Sequence, residues 1–242
     1  MLPQNGSISM TVSDLNVNTT VEFGSFPEDS LVINNQKLNK GTEEYDDYVG
    51  IFLNVVRNVV KKDLKAKIVS ESNFPIAAGL ASSAKKVKSR AGMAQTLKTC
   101  PYYKGWLESV NQDLDIVRKG ILEKDFTSVG QTSEFNALKM HATMITTKPP
   151  IIYWMPSTLE IMQSVMAWRE EGLESYFTMD AGPQVKVMCL QKDVLELKKR
   201  ISELSGVQQV IECKPGDGAR IWISICSSLW NPISLLKRLD LY

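Results

Sequence analysis

A chain of 242 residues, 43% hydrophobic and 23% charged, has the composition of a folded globular protein and the length for one large domain or two small ones. Its 28 basic and 27 acidic residues leave a net charge of +1, so no global field draws it to nucleic acid or anionic lipid, and any basic site has to be local. No run approaches the roughly 18 consecutive apolar residues of a membrane span, and the opening Met1 to Gly6 lacks the basic lead and apolar stretch of a secretory signal. Cys100, Cys189, Cys213 and Cys226 stand far apart, which fits a reduced cytoplasmic chain and no zinc knuckle or redox dithiol. The single histidine, His141, excludes metal clusters built from several imidazoles.

Polar and apolar residues alternate over Ser7 to Val12 and again over Thr19 to Phe23, which predicts a hairpin with one buried face. Leu31 to Ile33, with Asn34-Asn35 and then Lys37-Leu38, reads as a short strand and turn. Between Tyr45 and Val60, apolar Tyr48, Val49, Phe52, Val55, Val56, Val59 and Val60 recur at helical spacing, and Ala66 to Val69 returns to strand. From Trp106 the chain is mostly helical, with Leu107, Val110, Leu114, Val117, Ile121 and Leu122 on one stripe and Phe135, Leu138 and Met140 on another, up to Lys148-Pro149-Pro150. Ser157 with Glu160 has the spacing of a capping box and Gly172 supplies a stop, so a helix is predicted over Thr158 to Glu171. Strands are predicted at Tyr176 to Met179, Val185 to Cys189 and Val207 to Glu212, with a helix from Asp193 to Leu204 before the last of them. The apolar tail after Ile221 has no packing partner legible in the sequence.

Two segments carry chemistry. Gly79-Leu80-Ala81-Ser82-Ser83-Ala84 is a small-residue loop leading into a helix, where unpaired backbone N–H groups and the helix dipole favour a phosphate. Lys85, Lys86, Lys88 and Arg90 follow at once and supply phosphate ligands, although a solvated basic face has the same composition. Asp180 ends an apolar strand and is followed by Ala181-Gly182-Pro183, so small neighbours allow a ligand close to a carboxylate that could act as a base or orient a hydroxyl. A turn-capping aspartate is the plainer reading of that residue taken alone.

Together these segments resemble a known family. Asn73-Phe-Pro-Ile-Ala-Ala-Gly-Leu-Ala-Ser-Ser-Ala84, Lys85-Lys-Val-Lys-Ser-Arg-Ala-Gly-Met93, Met140-His-Ala-Thr143 and Phe177-Thr-Met-Asp-Ala-Gly-Pro183 are similar to motifs of the mevalonate diphosphate decarboxylases. That family belongs to the superfamily of galactokinase, homoserine kinase, mevalonate kinase and phosphomevalonate kinase. The resemblance implies an α+β, two-domain small-molecule-kinase fold. The expected parts are an incomplete N-terminal nucleotide and substrate domain over 1–100, a C-terminal domain of helices on an antiparallel sheet over 101–220, and a divergent tail over 221–242. The implied activity is ATP- and magnesium-dependent decarboxylation of mevalonate diphosphate to isopentenyl diphosphate.

In that frame Asp180 orients or deprotonates the tertiary hydroxyl that takes the γ-phosphoryl group. Gly79, Leu80, Ala81, Ser82 and Ser83 form the nucleotide phosphate loop, Lys86, Ser89 and Arg90 meet substrate phosphates and ATP, and His141 packs near the site without catalysing. No protein ligand to the metal is expected; a homodimer is, with no nucleic-acid partner. The chain departs from the pattern in three places. The family's early Lys-Tyr-Trp-Gly-Lys signature has no counterpart, a long stretch containing the Gly-Ser-Gly-Ser-x-x-Arg-Ser motif is missing between Ala84 and Lys85, and the sequence after about Ile221 diverges. Uncovered apolar faces and strand edges are the expected consequence. A catalytically impaired short form that binds a partner protomer, and a phosphomevalonate decarboxylase or related small-molecule kinase, are the alternatives.

Overall fold

The computed structural model describes residues 5–41, 45, 49–74 and 89–218, with the backbone alone at 89–91. Its first part is a mixed sheet of β1 (Val17–Gly24), β2 (Ser30–Ile33), β3 (Gln36–Leu38) and β4 (Lys65–Ser72), in the order β1-β4-β2-β3. Asn34 and Asn35 take left-handed φ of 45° and 64°, which asparagine tolerates, and so turn β2 back onto β3. The parallel pairing of β2 with β4 requires a crossover, and α1 (Ile51–Val60) lies within it. Leu53 of α1 is 1% exposed and packs with Leu31, Tyr45, Ala66 and Ile68 to form this half's core.

Asp29 ties the crossover together. Its Oδ1 accepts from Arg57 Nη2 of α1 at 2.5 Å and from the Ala66 N–H of β4 at 2.8 Å, while Arg57 Nε donates to the Leu64 carbonyl at 3.0 Å. One carboxylate thus pins the entry to β2, the end of α1 and the start of β4.

The predicted first hairpin is not formed. Ser7 to Val12 contributes a single bridge, Val12 to Pro215, and β1 pairs antiparallel with β4 instead. Nor does β1 bury one face: Val17, Val21 and Phe23 stay 55%, 44% and 43% exposed, because α1 reaches only over β2 and β4. The outer side of α1 is equally bare, with Phe52, Val55 and Val59 exposed, as the sequence's missing segments led us to expect.

The second part is helical around a two-stranded sheet. It comprises α2 (Ser89–Thr99), α3 (Tyr103–Glu123), α4 (Phe126–Ile145), α5 (Pro156–Glu170), β5 (Ser175–Thr178), antiparallel β6 (Lys186–Cys189) and α6 (Val194–Ser202). Lys124 in the left-handed region closes α3, and Asp125 Oδ1 accepts the Ser128 N–H at 3.0 Å to open α4, so two long helices fold into a hairpin. On the predicted α3 stripe Val110 is buried, but Ile121 and Leu122 are 53% and 83% exposed, and Phe135 of α4 is 60% exposed.

β5 is buried on both faces. Tyr176 presses on α4 at Gly130, where a Cβ would lie 2.0 Å from the ring, while Phe177 joins Met162, Val165 and Met179 in a core against α5. Gly172 at φ +94° stops α5 as predicted, but its start differs. Met155 is the N-cap and Thr158 Oγ1 accepts its N–H at 3.1 Å, in place of the predicted Ser157 and Glu160 pair. Val207 to Glu212 forms no strand; its alternation has no neighbouring strand to pair with among the described residues. The α+β class stands, with helices on the antiparallel β5-β6 pair in the second part.

Candidate active site

Asp180 follows β5 by one residue, Met179, and is held where buried chain meets solvent. Met179 before it is 3% exposed, whereas the Asp180 carboxylate is 76% exposed. Its Oδ2 accepts from Lys186 Nζ at 2.7 Å. Lys186 opens β6 and pairs across the sheet with Thr178, so the hairpin itself sets the distance between ammonium and carboxylate.

The backbone of the turn is anchored at both ends. His141 Nε2 lies 3.1 Å from the Asp180 carbonyl oxygen, which can only accept, so Nε2 carries the proton. At the other end Thr158 Oγ1 donates to the Pro183 carbonyl at 2.9 Å. Both anchors are 1% exposed. Burial pushes the His141 imidazole below its ordinary value and Lys186 adds to the lowering, while the Asp180 carbonyl and carboxylate pull the other way. The ring is therefore neutral at pH 7, lying 5.4 Å from the Trp154 ring and 6.3 Å from that of Tyr153.

β5 is fixed from behind by an ion pair. Glu134 on α4 takes Arg169 of α5 in two bonds of 3.0 Å, Glu134 Oε2 also accepts the Phe177 N–H at 3.1 Å, and Arg169 Nη1 donates to the Ser175 carbonyl at 2.8 Å. The guanidinium carbon lies 4.6 Å from the Tyr176 ring centroid.

Of the other residues singled out in the sequence, Gly79, Leu80, Ala81, Ser82, Ser83 and Lys86 lie outside the described residues, and Ser89 and Arg90 begin α2 with only their backbone described. The far end of α2 is bound to the far end of α4. Thr96 and Thr147 share a hydroxyl bond of 2.9 Å, Lys148 N donates to Thr99 Oγ1 at 2.9 Å, and Cys100 Sγ meets Thr146 Oγ1 at 3.2 Å. The helix that begins with Ser89 and Arg90 is thus mounted on the same end of α4 that carries His141.

A groove of about 810 Å³ between α3 and α4, lined by Trp106, Asp113, Phe135 and Lys139 among others, does not include Asp180. Lys139 and His141 point roughly 200° apart around the helix. Lys139 Nζ is engaged by Asp113 at 2.5 Å and Ser109 Oγ at 2.9 Å, a structural tie between the two helices.

Lys186, Thr158 and Glu134 are absent from the sequence reading. A lysine inside apolar Val185-Lys-Val-Met-Cys189 was the signal available for the first; the other two have none, because their partners lie 25 to 43 positions away.

The α+β core with an Asp-Ala-Gly-Pro turn at the end of a buried strand is consistent with the small-molecule kinase class that the sequence resembles, and the comparisons with known proteins place the chain within it. The C-terminal domain model of mevalonate 5-diphosphate decarboxylase matches residues 80–221, and a diphosphomevalonate decarboxylase-like N-terminal domain model matches residues 1–111. The chain belongs to the mevalonate diphosphate decarboxylase family.

It is similar to diphosphomevalonate decarboxylase of Saccharomyces cerevisiae, 23% identical over 301 positions that span 85% of this chain and 76% of the yeast protein. Because 85% of 242 residues fills only about two thirds of those 301 positions, about a third of the matched yeast stretch has no counterpart in this chain. Among solved structures, MDDEF in complex with MVAPP, AMPPCP and magnesium superposes with a TM-score of 0.79 at 29% identity, over 89% of this chain and 90% of that one. Mevalonate pyrophosphate decarboxylase from Streptococcus pyogenes does so with a TM-score of 0.78 at 25% identity, over 90% of each.

Proposed function

We propose that the chain carries out ATP-dependent decarboxylation of mevalonate diphosphate, giving isopentenyl diphosphate, ADP, phosphate and carbon dioxide. The observation that carries this reading is the exposed Asp180 carboxylate on a turn clamped from two helices, inside a segment that matches the family's C-terminal domain. With Oδ2 engaged by Lys186, Oδ1 accepts the proton of the substrate's tertiary hydroxyl as its oxygen attacks the γ-phosphorus, and ADP leaves with the electrons of the broken P–O bond. The substrate's tertiary carbon–oxygen bond then breaks with its electrons going to the departing phosphate, the electrons of the bond to the carboxylate carbon form the double bond, and carbon dioxide departs. Lys186 holds the Asp180 carboxylate through Oδ2 and offsets its negative charge before the proton arrives.

Among the described residues no group of three or more His, Cys, Asp or Glu side chains could hold a metal. The magnesium ion of this reading would be carried by the nucleotide phosphates, where it would neutralise their charge. Gly79 to Ser83 as the phosphate loop, and Lys86, Ser89 and Arg90 as substrate ligands, belong to this proposal. So does a cytoplasmic setting, in keeping with the free thiols of Cys100, Cys189 and Cys213.

The test is carbon dioxide and phosphate release from ATP, magnesium and mevalonate diphosphate by purified, folded protein, beside Asp180→Asn. Asparagine keeps the shape of the turn and removes the proton acceptor, so product formation should fall by at least about a hundredfold with nucleotide affinity unchanged. Equal loss of both would overturn the role given to Asp180, and release from mevalonate monophosphate alone would reassign the substrate.

A second reading is favoured by the bare apolar residues Val21, Phe23, Phe52, Val55 and Val59. In it the chain works as a homodimer in which the partner protomer covers that face. Sedimentation velocity gives a dimer if this holds and a stable monomer if it does not.

A further inference from the structure

We propose that His141 and Thr158 are positioning residues that clamp the Asp180-Ala181-Gly182-Pro183 turn at its two ends, and that Asp180 keeps its catalytic aim only while both are in place. The second clause rests on the reading of Asp180 given above; the first stands on geometry alone. The turn connects two strands of four residues each, and β5-β6 pairing ends at Thr178 and Lys186, so no ladder bond fixes residues 179 to 185. What fixes them comes from the helices. The Asp180 carbonyl meets His141 Nε2 of α4 at 3.1 Å, and the Pro183 carbonyl takes the Thr158 hydroxyl of α5 at 2.9 Å.

Each anchor is itself immobilised. His141 is 1% exposed and flanked by Trp154 and Tyr153, and Thr158, also 1% exposed, is held by the Met155 N–H at 3.1 Å. Among the described residues the one side-chain tie on the carboxylate is Lys186, which sits on the same hairpin and moves with it. The fixed frame against which the carboxylate is aimed is therefore α4 and α5, reached through one imidazole and one hydroxyl. Displacing a reacting group by about 1 Å costs on the order of a hundredfold in rate, so loosening the turn appears in kcat before it appears in binding.

The experiment uses the whole chain and two readouts. Amide hydrogen exchange is followed at residues 179–182, with circular dichroism checking the fold, in wild type, His141→Ala, His141→Gln, Thr158→Val and Thr158→Ser. Steady-state kcat and KM are measured on the same set. The clamp predicts about tenfold faster exchange in the turn for His141→Ala and Thr158→Val, since one net hydrogen bond is worth about that factor, with glutamine and serine restoring protection. Kinetically, kcat falls on the order of a hundredfold in the two disabling variants while KM for mevalonate diphosphate changes less than about threefold, and the two conservative variants recover.

Unchanged exchange in folded His141→Ala and Thr158→Val overturns the clamp. Faster exchange with unchanged kcat overturns the link to aim. A folded wild type without turnover removes the catalytic reading of Asp180, and exchange alone then decides whether the clamp exists. Should His141→Ala fail to fold, His141→Asn, whose shorter amide cannot reach the carbonyl, and Thr158→Val carry the same comparison.

Discussion

Replacing Glu134 by alanine removes one side chain and three bonds at once. The carboxylate, 11% exposed, holds Arg169 twice at 3.0 Å and takes the Phe177 N–H at 3.1 Å. Alanine leaves the guanidinium without its counter-charge and a fully buried strand N–H without an acceptor. Breaking a buried ion pair by deleting one partner costs about 3–5 kcal/mol, and an unsatisfied buried N–H about 1–3 kcal/mol. Arg169 is 23% exposed and reaches some water, and it keeps its bond to the Ser175 carbonyl at 2.8 Å, which together argue for the lower end. The expected loss is about 4 kcal/mol, a large share of the roughly 5–15 kcal/mol that holds a domain together.

Urea unfolding followed by tryptophan fluorescence measures it. Glu134→Gln, which keeps an acceptor for the Phe177 N–H and Arg169 Nη1 but loses the charge and turns an amide NH2 toward Arg169 Nη2, should cost about half as much. The double variant Glu134→Met with Arg169→Met should recover most of the stability, because it leaves no buried charge unpaired. A loss below about 1 kcal/mol in Glu134→Ala would refute the assignment of this pair as the strut behind β5.

Two further outcomes follow from the packing and the charges. Gly130→Ala places a Cβ 2.0 Å from Tyr176 Cδ2 on a helix that cannot retreat, so overpacking of about 1–3 kcal/mol or more and a lower Tm are expected; an unchanged Tm would mean the ring swings aside freely. Burial pushes the Asp29 carboxyl up, but Arg57, the Ala66 N–H and Lys65 outweigh it and hold it below the ordinary carboxylate range. The unfolded chain therefore takes up that proton first as the pH falls, so the contribution is complete above about pH 4 and disappears below the folded value. Urea midpoints between about pH 5 and pH 2 should fall more steeply in wild type than in Asp29→Asn, and parallel curves would remove Asp29 from the account.

What the sequence made legible was local. Asn34-Asn35 announced the β2-β3 turn, Gly172 the end of α5, and the apolar run into Asp180 the buried strand β5, because in each case neighbouring residues set the backbone. Alternation at Ser7 to Val12 and Val207 to Glu212 misled for a physical reason: a period of two says that a face could be buried, not that a partner strand lies beside it. The cap of α5 was misplaced because Thr158, spaced to cap, spends its hydroxyl on both Met155 and Pro183. Asp180 stands out in the sequence by its setting, and the structure puts His141 beside it, 3.1 Å from its carbonyl oxygen. The polar ties around the turn and β5 are not readable, since Thr158 with Pro183 and Glu134 with Arg169 join residues 25 and 35 apart, and separation along the chain leaves no mark on composition or periodicity.

The mounting of α2 on α4 bears on how such a chain can change in length. Thr96, Thr99 and Cys100 fasten one helix to Thr146, Thr147 and Lys148, just past the end of α4 and within about two turns of the histidine that meets Asp180. The spacing between these two parts of the molecule is thus decided downstream of Ser89, by bonds that involve nothing upstream of it. Changes ahead of Ser89 leave those three bonds untouched and reach the second half instead through the bridge that Thr11, Val12 and Ser13 make with Lys214, Pro215 and Gly216.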